Sequence, residues 1–68
     1  MSGAGGELRH PELSLVSLAR PVLADKGILP EGAIGTVVHV YPNESAYEVE
    51  FIKPFHTLAT VAAFEIQE

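Results

Sequence analysis

The sequence contains no cysteine, and that absence removes disulfides, thiolate metal sites and thiol nucleophiles together. It is the usage expected of a reducing cytoplasm. Positive charge is also scarce: Arg9, Arg20, Lys26 and Lys53 stand against nine acidic residues, for a net charge of −5, and the four do not cluster. A nucleic-acid binder exchanges a basic footprint for the counterions on phosphate, so this chain would bring repulsion to a duplex, and no nucleic-acid partner is expected. No apolar run reaches the roughly 18 residues of a spanning helix, and no membrane partner is expected. The opening MSGAGGE lacks the basic start and apolar core of a signal peptide, which again points to the cytoplasm.

Metal-binding spacing is missing too. His10, His39 and His56 are too far apart for a local H-x-x-x-H pair, and each reads as a surface or half-buried histidine, so no cofactor is expected. What remains is a 68-residue chain, 47% of it hydrophobic, with room for one domain. A chain of this length buries only about 60% of the surface its unfolded form exposes, which leaves stability marginal and some apolar side chains uncovered. A self-association surface is a natural consequence.

Along the chain, residues 1–12 carry three glycines in the first six positions and no periodicity, and they read as a flexible leader to a domain over 13–68. Leu13, Leu15, Val16, Leu18 and Ala19 suit either a short helical stripe or a strand. Pro21 limits any helix here to barely two turns, so a strand is preferred. The segment 21–31, PVLADKGILPE, has prolines near both ends, an Asp25-Lys26-Gly27 turn signal and the large apolar residues Val22, Leu23, Ile28 and Leu29. It reads as a loop packed across the core as a lid.

The most legible stretch is 32–51, GAIGTVVHVYPNESAYEVEF. Gly32 and Gly35 precede a run of β-branched and aromatic residues. In strict period two, Ile34, Thr36, Val38 and Val40 share one face and Val37, His39 and Tyr41 the other. Both faces are mostly apolar, as in a central or strongly bent strand. Pro42-Asn43-Glu44-Ser45 is a hairpin connection, and Tyr47, Val49 and Phe51 alternate inward against an outward Glu48 and Glu50. That alternation overrules the capping-box pattern Ser45-x-x-Glu48, and the sequon Asn43-Glu44-Ser45 lacks a secretory route. The Gly-x-x-Gly is followed by neither Lys-Ser/Thr nor a helix, so it is not a phosphate cradle. Glu48 and Glu50 read as a solvated face rather than an acid–base pair. After a Pro54-Phe55-His56 turn, the pattern over 57–66 leaves strand and helix open.

The run Gly-x-x-Gly-Thr-Val-Val-x-Val-Tyr, a short polar turn, and Ala46-Tyr47-Glu48-Val49-Glu50-Phe51 together resemble a family of short bacterial proteins classed only as a domain of unknown function (DUF4926). Leu29-x-x-Gly32 and Ile66 fit it as well, and the likeness spans roughly residues 14–67. The chain departs after Phe51, where family members usually carry an Asp-Gly turn and this one has Lys53-Pro54-Phe55-His56. The resemblance implies an all-β fold, a small five-stranded SH3-like barrel with strands near 15–18, two in the hairpin, one near 57–61 and one near 65–67. It also implies relatives encoded among mobile or toxin–antitoxin-like genes, and no chemistry.

With no nucleophile or metal motif, the sequence reads as a non-enzyme, a small protein-interaction module for an unknown protein partner. The candidate rim is Tyr41, Asn43, Phe55 and His56, since Tyr47 and Phe51 are better explained as core. The alternatives are a ribosome- or RNA-associated SH3-like domain, which the charge opposes, and a homodimer formed through an edge strand or through Phe55 and Phe64.

Overall fold

The computed structural model describes residues 8–67, and its regular structure is almost entirely β. Six strands follow one another: β1 (Leu15–Ser17), β2 (Val22–Ala24), β3 (Gly27–Leu29), β4 (Ile34–Val40), β5 (Ala46–Phe51) and β6 (Thr57–Ala62). Short 3₁₀ turns at Pro42–Glu44 and Ala63–Glu65 punctuate the second half. The strands form two antiparallel sheets, one of four strands in the order β1-β4-β5-β6 and a separate β2-β3 ribbon. They do not close into a single hydrogen-bonded barrel of five strands.

The inner face of the larger sheet is the core, and register explains its composition. Val16, Gly35, Phe51 and Thr57 lie in one cross-strand row, Val37, Val49 and Ala59 in the next, and Val40, Tyr47 and Val61 in the third. All but Val40 are buried. Leu18, Val22, Leu29 and Ile66 complete the cluster from outside the central strands. Burying each large member contributes on the order of 1.5–3 kcal/mol, which a domain this small cannot easily replace. Gly35 is part of the fit. A Cβ there would lie 2.5 Å from Val49 Cγ1 and 2.9 Å from the Glu50 carbonyl oxygen, so no side chain is accommodated without displacement.

The expectation of strict period two in β4 fails at one point. A bulge lies between Val37 and His39, so that Val37 opposes Val49 while His39 opposes Glu48. The extra residue leaves Val38 exposed and turns Val40 toward Tyr47, separating two valines assigned to one face.

Two further expectations are corrected and one open question is settled. Residues 21–31 form the β2-β3 hairpin rather than a lid loop: Val22 pairs with Leu29 inward and Leu23 with Ile28 outward, around a turn at Asp25 and Lys26. Gly27, at φ +147°, closes that turn in a conformation that L side chains rarely adopt. Residues 57–62 settle as strand, paired along their whole length with β5. Finally, the expected last strand at 65–67 is replaced by the Ala63–Glu65 turn and a single bridge between Leu18 and Ile66. Ala19 N–H donates to the Glu65 carbonyl and Gln67 N–H to that of Ser17, both at 2.8 Å, which ties the C-terminal segment to β1. The Lys53–Pro54 peptide bond is cis.

Of the expected leader, residues 1–7 lie outside the described residues. Arg9 and His10 contact the domain, as set out below.

Candidate functional site

The four candidate rim residues do not form one rim. Tyr41 and Asn43 belong to the turn joining β4 to β5, whereas Phe55 and His56 belong to the connection from β5 to β6, at the opposite end of β5. Each pair has its own surroundings.

At the first end, Pro42–Glu44 makes a 3₁₀ turn in which Asn43 (φ 59°) and Glu44 (φ 54°) both adopt left-handed backbone. Asn tolerates that conformation through its short polar side chain, while Glu does so at a cost. The Glu44 carboxylate offsets part of it. Its Oε1 accepts the Arg9 N–H and the Tyr47 hydroxyl, each at 3.1 Å, pinning the N-terminal segment against the turn. The His10 ring stands edge-on to Tyr47 with centroids 5.4 Å apart. Two clefts flank this turn. One, of about 500 Å³, is lined by His10, Asn43, Glu44, Tyr47, Ala63 and Phe64 among others. The second, of about 890 Å³, lies against Leu8, Pro11, Val40, Tyr41, Pro42 and Asn43.

Phe64 is the residue of this end that the sequence did not single out for the rim. The 3₁₀ turn at Ala63–Glu65 holds it out, 67% exposed, with the Arg20 guanidinium 5.1 Å from its ring centroid. That turn is fixed by the Glu65 carboxylate, whose Oε1 accepts the Ala62 N–H at 2.9 Å. The signal available was a phenylalanine between a small residue and a glutamate, with no strand alternation to absorb it. His10 gave no signal, because it sits in a stretch without periodicity.

At the second end, the His56 Nε2 lies 2.8 Å from Glu50 Oε2, and the Lys26 ammonium donates to the His56 carbonyl oxygen at 3.0 Å. Phe55 is half-buried and faces Gly27. These contacts latch the β2-β3 hairpin onto the loop that precedes β6. The space they enclose, about 390 Å³, has a polar charged margin of Asp25, Lys26, Glu50 and His56.

Glu48 and Glu50, expected to be solvated, are half-buried and engaged. Glu48 Oε1 accepts the Tyr41 hydroxyl at 3.1 Å and the Thr60 hydroxyl at 2.7 Å; Glu50 meets His56. Tyr41 in turn receives the edge of His39, with centroids 4.9 Å apart. Both carboxylates therefore serve as acceptors in surface networks that knit neighbouring strands. No group of three or more histidine, cysteine or carboxylate side chains placed to hold a metal ion occurs among the described residues. No helix of the described residues is long and apolar enough to cross a membrane.

Comparison with curated proteins found no match, and comparison with solved structures found none. The family model for a domain of unknown function, DUF4926, matches residues 12–66, which takes in all six strands, both turns and the Leu18–Ile66 bridge, and the chain belongs to that family.

Proposed function

We propose that this chain is a cytoplasmic, non-enzymatic protein-interaction module of SH3-like topology that takes a short segment of a partner protein at the β4-β5 turn. The observation that carries the reading is the pair of clefts, about 500 and 890 Å³, on either side of Pro42–Glu44. They are the two largest of the clefts described, and they share Asn43 and Glu44. Concave surfaces that combine aromatic walls with a few polar groups are where polypeptide segments dock.

Two consecutive left-handed residues at the turn support it, since backbone strain is kept where it positions a contact. The topology is consistent with an SH3-like barrel: a strand, a hairpin excursion, a three-strand meander, a 3₁₀ turn and a segment returning to the first strand.

The test is affinity capture from the source organism, comparing the native domain with a variant carrying Asn43→Gly, which keeps the left-handed turn, and Phe64→Ala. Both side chains are exposed, so folding should be kept and the captured protein lost by at least tenfold. Equal capture by a folded variant would remove the turn from consideration.

A further inference from the structure

The outer face of the four-stranded sheet is a separate surface from the turn clefts, and its composition is unusual for a side facing water. Leu15, Thr36, Glu50 and Leu58 form one cross-strand row; one step further, Ser17 pairs with Ile34, and continuing the β4-β5 register sets Ile34 opposite Ile52. Leu15, Ile34, Ile52 and Leu58 are 71, 62, 65 and 53% exposed. Residues that alternate with a core normally give a polar outer face. Here Leu15, Ile34, Ile52 and Leu58 stand at outward positions beside Thr36 and Glu50.

We propose that this face is the interface of a homodimer, with a second copy of the chain as its occupant. Area argues for it. Each side chain offers on the order of 100 Å² of apolar surface, so the four together supply about 400 Å². Homodimer interfaces are roughly two-thirds apolar, and the polar third is present in Ser17, Thr36 and Thr60. The sum approaches the ~800 Å² per partner of a standard interface.

Charge argues in the same direction. No lysine or arginine occupies an outward position on the four strands. The face's two carboxylates are engaged within the copy, Glu48 by two hydroxyls and Glu50 by His56. The face therefore asks for an apolar complement more than a basic one, and its own likeness supplies that. The net charge of −5 on each copy opposes association at long range, so dimerisation should strengthen as salt screens it. A basic partner held by charge would show the reverse.

The test is sedimentation velocity of the full chain from about 1 µM to about 1 mM, at roughly 50 and 500 mM salt. The expected result is a monomer–dimer equilibrium that shifts toward dimer at high salt. Ile34→Glu should weaken it by at least tenfold, while Leu23→Glu, at a more exposed position on the β2-β3 hairpin, should leave it unchanged. Mixed isotope labelling keeps the question open to decision if a variant misfolds: methyl contacts between copies should involve Leu15, Ile34, Ile52 and Leu58. A monomer throughout, or a dimer whose contacts lie elsewhere, would overturn the proposal. Neither outcome bears on binding at the Asn43 turn, which is scored on partner capture alone.

Discussion

The β4-β5 and β2-β3 hairpins are built by the same rule and look unalike in sequence. In β4-β5, inward Tyr47, Val49 and Phe51 alternate with Glu48 and Glu50, so the strand announces which face is which. In β2-β3, inward Val22 and Leu29 alternate with outward Leu23 and Ile28, and the period disappears because both faces are apolar. The difference shows that alternation is a signal of contrast between faces. Where an outer face has no polarity, a strand reads as a generic apolar loop, although the backbone pairs all the same.

The sharpest way to break the first hairpin is Phe51→Ala. Phe51 is fully buried in the row of Val16, Gly35 and Thr57. Its loss should cost about 3–5 kcal/mol, enough to leave a domain of this size largely unfolded at room temperature in urea titration or by circular dichroism. Retained cooperative folding with a loss under about 1 kcal/mol would mean that the inner face repacks freely, contrary to the tight rows described above.

Legibility followed that contrast through the rest of the fold. The β4-β5 hairpin, the connecting turn and the core roles of Tyr47 and Phe51 could be read directly, because glutamates marked the outside. The bulge at Val38 could not: Val37, Val38 and Val40 offer no polar residue to show where the face changes. Neither could the tail, where Thr57, Ala59 and Val61 point inward and Leu58 and Thr60 outward, so that residue type is uncorrelated with side. The candidate rim was half legible for a different reason. Turn residues advertise themselves, but nothing in the sequence reveals that Asn43 and His56 stand at opposite ends of one strand.

Gly35→Ala tests the same hairpin more gently. The added methyl would meet Val49 Cγ1 at 2.5 Å and the Glu50 carbonyl oxygen at 2.9 Å, so the Val49 side chain and the β5 backbone must both give way. A loss of about 1–3 kcal/mol is expected, seen as a melting temperature lower by roughly 4–20 °C. A neutral result would show that β4 and β5 can separate by a few tenths of an ångström at no cost, and the role assigned to Gly35 would fall. Because the residue is distant from the Asn43 turn, any folded fraction should still capture a partner.

The smallest effect should come from restoring to the second hairpin the contrast it lacks. Leu23 and Ile28 face each other directly, 79 and 63% exposed, so replacing both by threonine removes apolar surface from water and leaves the inward Val22–Leu29 pair untouched. Threonine keeps the β-branched preference for strand, and paired threonines can hydrogen-bond across the ladder. Stability in urea should change by less than about 0.5 kcal/mol per site, since neither side chain contributes to the core. The doubly substituted segment would then read PVTADKGTLPE, an alternating pattern from which the hairpin could be predicted. A loss of 2 kcal/mol or more would show instead that the Leu23–Ile28 pair contributes packing, either across the hairpin or against a second molecule. Repeating the melt across a dilution series separates these cases: a concentration-independent loss belongs to the hairpin itself, and a loss confined to high concentration belongs to an interface that β2-β3 shares.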